Sequence, residues 1–514
     1  MKAFLLYKED NFDGKQKLPW NESDLIQDLG LTTLFNAMGC GDEFIFEISR
    51  SVILSSMSNE IETILYRQKV LQDCLRDSAI VKSIYKIVLE TIESEKKGYW
   101  GWSNRYPIAT LDRAINVMGM FVSMLRKLRK IADDYKHEFD SEGFNALFNT
   151  LIEELSDDYF NEIQKHLRDL KFVNGILISA DLGKGNKGTN YILRKPNNNK
   201  QNWFKSIFSP KVPIYSYTIA DRDEAGARAL SELSNRGINQ AANALAQSCD
   251  HILDFIKALK TELAFYIGCL NLYEQLIKIG ETVCFPKPVF AEECEHSFNG
   301  LYDVCLALTM GKKVIGNDLN VKDKNFIIIT GANQGGKSTF LRSIGLAQLM
   351  MQSGMFVPAE SFSSNICDGL FTHYKREEDI TMNSGKLDEE LARMNEIVNH
   401  ITPNAILLFN ESFSATNEKE GSEIARQITS ALYESNLKIF FVTHLYDFAH
   451  SIYKKKLRGV LFLRAVRQKD GTRTYRLSAG KPLQTSYGKD LYNNIIKSRN
   501  RDISRDVYNL TIRV

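Results

Sequence analysis

Gly331, Gly336, Lys337 and Ser338 carry the strongest chemical signal in the sequence, because they fall in the spacing Gly-x-x-x-x-Gly-Lys-Ser. Residues of these types at this spacing cradle the phosphates of a nucleotide. Glycines have no Cβ, so consecutive backbone N–H groups can curl around phosphate oxygens, and Asn333, Gln334 and Gly335 complete the curl. Lys337 is long enough to reach the β- and γ-phosphates, the Ser338 hydroxyl suits the shell of a Mg²⁺ ion, and Thr339 closes the motif. The expected ligands are ATP and Mg²⁺, with Lys337 also serving the chemistry.

A second constellation supplies what a phosphate loop lacks. The apolar run Ala405 to Phe409 ends in Asn410 and Glu411, an amide followed by a carboxylate. Glu411 suits a general base that takes a proton from an attacking water. The position before it is ordinarily an aspartate that holds Mg²⁺ through a water. Asn410 offers a neutral amide oxygen in its place, with weaker electrostatics. His444 follows the run Lys438 to Thr443, at the C-terminal end of a third strand, where open parallel sheets place ligand-binding groups. It is expected to touch the γ-phosphate or the water.

These residues need a sheet to hold them. Ile327, Ile328 and Ile329 supply a buried strand directly before the loop, and Phe340 to Met351 a helix directly after it. Strand and helix signals alternate over 290–490, which reads as an α/β phosphate-loop ATPase domain entered past Pro286 and Pro288. Residues 1–23 form a short arm. Helical periodicity dominates 24–289, with an insertion at about 171–220 made of short strands and loops. From 221 to 279 a single amphipathic pattern implies a lever helix, with a break expected near Gly237. Tyr99, Trp100, Trp102 and Tyr106 cluster in a loop read as helix packing, and the tail 491–514 has an open role. The fold class expected is multidomain: a mainly α-helical core, lever and clamp region, then the α/β domain.

Bulk properties narrow the partners. Lys and Arg number 65 against 63 Asp and Glu, so the net charge of +2 gives no global polyanion signal. A local one exists. Residues 183–205 hold Lys184, Lys187, Arg194, Lys195, Lys200 and Lys205 without an acid, which fits either phosphate-backbone contact or a solvated loop. Eight cysteines without a Cys-x-x-Cys pair argue against a zinc ribbon or a disulfide framework and for ordinary thiols. No run of 18 apolar residues occurs. The expected setting is the cytoplasm, without a membrane partner.

Together the motifs resemble the MutS family of DNA mismatch repair ATPases. The resemblance rests on Asn317-Asp-Leu319, Thr330 to Thr339, Val357-Pro-Ala359, Phe371-Thr-His-Tyr374, Asn410-Glu-Ser412 and Thr443-His-Leu445, in the family's order and spacing. Arg67-Gln68 and Asp73-Cys-Leu75 extend it into the helical part, so it spans roughly 24–490. It implies an ABC-type ATPase acting as a homodimer, with each ATP held between subunits. On that analogy Asn317 joins the nucleotide site, Ser384 reaches the partner's γ-phosphate, and 412–417 lie at the dimer interface. Lever helices would pass closure to a clamp on DNA, carrying the basic residues of 183–205. Helices starting near residue 24 leave no space for the family's mismatch-reading and connector domains, and the residues after 490 are too few for a nuclease-type Smr domain. The implied function is an ATP-dependent DNA clamp in repair or recombination, nucleoid-associated when on DNA, without mismatch reading and with repair-pathway partners unknown. A mechanical ATPase acting on RNA or a ribonucleoprotein is the alternative, and an ATP-gated scaffold a third.

Overall fold

The computed structural model describes residues 2–97, 106–173, 175–195, 215–376, 385–468 and 472–483. The chain begins with short helices α1 (Glu22–Leu29), α2 (Leu31–Gly39), α3 (Glu43–Leu54) and α4 (Ile61–Arg76). Local chemistry sets their ends. Gly30 closes α1 in the left-handed conformation, and the Asp42 carboxylate caps α3 by accepting from Phe44 N at 2.8 Å and Ile45 N at 3.1 Å. Four more helices follow: α5 (Ser78–Lys97), α6 (Pro107–Tyr135, with proline at its first turn), α7 (Glu142–Glu154) and α8 (Asp157–Asp169). Strands β1 (Leu177–Leu182) and β2 (Gly188–Arg194) form an antiparallel hairpin with a bulge between Ser179 and Asp181.

Helix α9 (Glu224–Lys278) is continuous over 55 residues, roughly 80 Å at 1.5 Å per residue. The break expected near Gly237 does not occur. Glycine serves there for closeness instead: a Cβ at Gly237 would meet the Ile178 side chain of β1 at 2.5 Å.

The chain divides into two compact units, Met1–Phe4 with Ala79–Leu263, and Leu5–Ser78 with Ala264–Val514. In the first, α6 packs against α7 and α8 through buried Phe121, Phe144, Phe148 and Phe160. The Arg126 guanidinium covers the Phe160 ring at 5.0 Å, and Arg129 pairs with Asp157 at 2.9 Å. Helix α6 is long and apolar enough to cross a membrane by length and composition alone, but its apolar stripe forms the core of this unit.

The second unit opens with residues of the N-terminal arm, whose Leu5 and Leu6 are fully buried. Tyr266 Oη donates to the Leu5 carbonyl at 2.6 Å and Arg67 Nε to the Leu6 carbonyl at 2.9 Å. Its α/β part runs β3 (Lys287–Val289), β4 (His296–Leu301), α10 (Val304–Met310), β5 (Asn317–Val321), β6 (Phe326–Gly331), α11 (Lys337–Gln352), β7 (Ser361–Asn365), β8 (Leu370–Tyr374), α12 (Lys386–His400), β9 (Ile406–Asn410), α13 (Glu418–Glu434), β10 (Lys438–Val442), α14 (Tyr446–Lys455), β11 (Val460–Arg467) and β12 (Arg473–Ala479). Six strands form one sheet in the order β12-β11-β6-β10-β9-β8, parallel except for edge strand β12. Strands β3-β7-β4-β5 form a second. A helical N-terminal region followed by an α/β sheet region is thus the architecture. All eight cysteines are free.

Candidate active site

Strand β6 is buried along its whole length and delivers Gly331 at the C-terminal edge of the sheet. Three glycines let the chain turn tightly there. Gly331 and Gly336 sit at φ +110° and +86°, and a Cβ on Gly331 would come within 2.8 Å of Ala465 N on β11. Gly335 is bare for a similar reason, since its Cβ would meet Ala465 Cβ at 2.7 Å and the Ala332 carbonyl at 2.8 Å. The loop therefore curls against β11, with Gly335 N donating to the Ala332 carbonyl at 3.2 Å.

Lys337 opens α11 with its side chain folded into the loop. Its ammonium donates to the carbonyls of Gly331 (3.1 Å) and Ala332 (3.0 Å). Burial lowers its pKa to about 8, opposed by the Glu411 charge and assisted by Arg473. One residue on, Ser338 Oγ donates to Asn410 Oδ1 at 2.9 Å, so the hydroxyl and the amide expected to share a metal are in contact. Gln334 and Ser338 are exposed and Thr339 is half-buried.

Strands β9 and β10 lie side by side in parallel, with Asn410 opposite Val442, which aligns the residues beyond their ends. Glu411 N donates to the Val442 carbonyl at 2.9 Å, and His444 Nε2 donates to Glu411 Oε1 at 2.7 Å. That hydrogen bond holds the Glu411 carboxyl below the usual value against the effect of burial, aided by the charges of His444, Lys337 and Lys375. Glu411 is therefore an ionised carboxylate at neutral pH. It sits at φ 56° and Phe413 at 61°, left-handed positions that cost a residue with a Cβ roughly 1–2 kcal/mol each. Beside Gly331 a cleft of about 360 Å³ is lined by Thr330, Thr443, His444 and Glu418.

The structure thus gathers Lys337, Ser338, Asn410, Glu411 and His444 around one loop. Asn317 lies at the rim with its amide engaged elsewhere: Nδ2 donates to the Tyr475 carbonyl at 3.2 Å, and Oδ1 accepts from Leu477 N at 2.8 Å. Its role is to clasp β12. Asn333 Oδ1 is buried without a partner among the described residues, while its carbonyl accepts from Arg473 Nε at 3.1 Å. Lys184, Lys187, Arg194 and Lys195 are exposed on or beside the β1–β2 hairpin of the other unit. Ser384, Lys200, most of the aromatic loop and the C-terminal tail fall outside the described residues.

Sequence reasoning missed Arg473 and Tyr475. Both belong to β12, far along the chain from the loop, and no local spacing links them. Arg473 braces the loop from outside, and Tyr475, half exposed, has its Cα 3.5 Å from where a Gly336 Cβ would stand.

The donor set fits a nucleotide with a hard cation. Backbone N–H groups of a glycine-rich turn and a buried ammonium are donors of the kind phosphate oxygens need. Mg²⁺ takes few protein oxygens beside those of a bound phosphate, which matches one hydroxyl and one amide. No cluster of three or more His, Cys, Asp or Glu able to hold a metal occurs among the described residues.

Comparison with known proteins gives relatives for both the helical and the α/β region. The model of the MutS2 N-terminal domain matches residues 59–279, and that of MutS domain V matches 327–495. A DNA mismatch repair protein MutS of Petrotoga mobilis is 28% identical over 273 residues, covering 50% of this chain and 33% of its own. That of Lactobacillus johnsonii is 25% identical over 297 residues, 56% of this chain and 34% of its own. The human MutS protein homolog 4 is 25% identical over 284 residues, 53% and 30% respectively. The chain thus spans about a third of the length of the relatives it matches. With the two domain models together covering most of its residues, helical region and α/β region alike, this chain belongs to the MutS family.

Proposed function

We propose that this chain is a MutS-family ATPase that hydrolyses ATP to ADP and phosphate and uses the cycle to control its grip on DNA. The observation that carries the reading is the convergence of Lys337, Ser338, Asn410, Glu411 and His444 on one glycine-rich loop. Loop N–H groups and Lys337 bind the β- and γ-phosphates, with Arg473 and Asn317 fixing the loop and β12 around them. Ser338 Oγ and Asn410 Oδ1 are the groups that would hold Mg²⁺, which when bound neutralises charge on the phosphate oxygens. Glu411 takes a proton from the attacking water on its carboxylate as the new O–P bond forms. The electron pair of the breaking bond leaves with ADP. His444 keeps the carboxylate ionised and oriented by its 2.7 Å hydrogen bond. Asn410 leaves the metal side one negative charge short, which favours slow turnover.

DNA is the proposed partner because the relatives are named for DNA mismatch repair and the hairpin exposes four basic side chains. A homodimer completing each site is part of the same reading. The test compares binding of purified protein to matched, mismatched and branched DNA and to structured RNA, at one salt concentration, with and without ATP. An ATP-dependent change for DNA, with turnover abolished in Glu411→Gln, is expected. Preference for RNA would replace DNA by a ribonucleoprotein partner, and turnover unaffected by Glu411→Gln would remove Glu411 from the chemistry.

A further inference from the structure

The turn that carries Glu411 is bent against its own preference. With Glu411 and Phe413 both at positive φ, something outside the turn must hold it. His373, on β8, is placed to do so. Its Nε2–H donates to the Glu390 carbonyl of α12 at 2.9 Å, which leaves Nδ1 bare. Ser412 Oγ lies 2.7 Å from that nitrogen and 2.6 Å from the carbonyl oxygen of His373 itself. One hydroxyl therefore meets two acceptors of a single residue. The imidazole also stacks on the buried Phe413 ring, with centroids 5.2 Å apart and planes 24° from parallel. Gly421 of α13 completes the seat: a Cβ there would meet the Phe413 carbonyl at 2.3 Å. Burial pushes His373 down to about 4, so the ring stays neutral and Nδ1 remains an acceptor at physiological pH.

We propose that His373 is a positioning residue for hydrolysis: it latches Ser412, and the latch holds the turn in the one conformation that aims the Glu411 carboxylate at His444 and the attacking water. Its effect on turnover rests on the ATPase reading, but its effect on Glu411 does not. His373 touches none of the reacting groups. Through the Glu390 carbonyl it also ties the catalytic turn to α12.

Three variants separate the latch from simple packing. His373→Phe keeps the ring stack and removes both nitrogens, His373→Asn restores a donor and an acceptor, and Ser412→Ala removes only the hydroxyl. With ATP as the probe, kcat should fall about tenfold or more in His373→Phe and Ser412→Ala, with KM within about twofold, since a small misplacement costs rate before it costs binding. His373→Asn should recover most of the loss. A second readout needs no turnover. The Glu411 amide donates to the Val442 carbonyl at 2.9 Å, and its hydrogen exchange should quicken about tenfold or more in His373→Phe and Ser412→Ala once the turn is unlatched. Unchanged kcat and unchanged Glu411 amide exchange in Ser412→Ala and in a folded His373→Phe would overturn the latch. Absent ATP turnover in the unaltered protein would overturn the ATPase reading alone, because the amide exchange still decides the latch.

Discussion

On the proposed ATP-binding reading, Lys337 should make nucleotide affinity depend on pH in a direction fixed by its surroundings. Burial lowers its pKa to about 8, whereas an ordinary lysine titrates near 10.4. In the free protein the ammonium therefore loses its proton as pH rises through about 8. A bound polyphosphate favours the charged form and draws the proton back. The protonated fraction of the free protein is about 0.9 at pH 7 and about 0.09 at pH 9 from a pKa of about 8, so the apparent Kd for ATP should rise roughly tenfold between those values. At pH 8 about half a proton should be taken up per nucleotide bound. Titration calorimetry in two buffers of different ionisation enthalpy measures that uptake directly. Lys337→Arg supplies the control, since a guanidinium does not titrate in this range and the pH slope should vanish. Affinity flat from pH 7 to 9, with no proton uptake at pH 8, would refute the depressed lysine and the placement of its ammonium against the phosphates.

Other expectations follow from single contacts. Asn410→Asp should tighten Mg²⁺ binding about five- to tenfold in an ATP-dependent titration, because a charged acceptor gains roughly 1 kcal/mol over a neutral one; an unchanged titration would remove residue 410 from the ion's surroundings. Gly335→Ala forces a Cβ into Ala465 and the Ala332 carbonyl, so calorimetric unfolding should show about 1–3 kcal/mol of lost stability together with weakened ATP binding. Replacing Lys184, Lys187, Arg194 and Lys195 by alanine should lower the salt slope of DNA binding by about 0.9 for each lost phosphate contact while ATP turnover persists, as measured by fluorescence anisotropy across a salt series.

The parts of this site legible in the sequence are those whose chemistry is local. A loop of glycines followed by Lys-Ser, buried strands ending in Asn410-Glu411 and His444, and helical periodicity through 24–289 each depend on residues near one another in the chain. What stayed hidden is long-range. Asn317 fits the motif order, but its amide turns to β12, whose hydrogen bonds to it span about 160 residues. Arg473 and His373 act through carbonyl and hydroxyl groups that no spacing announces. Gly237 misled for a related reason: a glycine inside a helical pattern signals a break until the side chain approaching it is known, and here that side chain is Ile178. The positive φ at Glu411 was equally invisible, because glutamate is not among the residue types, Gly, Asn and Asp, that signal it.

That strained glutamate sets two optima against each other. Glycine at position 411 would relieve the left-handed backbone, recovering a large part of roughly 1–2 kcal/mol, and asparagine would recover less. Either change removes the only carboxylate on the turn. On the proposed chemistry a laboratory selection for melting temperature alone would drift toward an inert protein, and Glu411 would persist only where selection reads turnover.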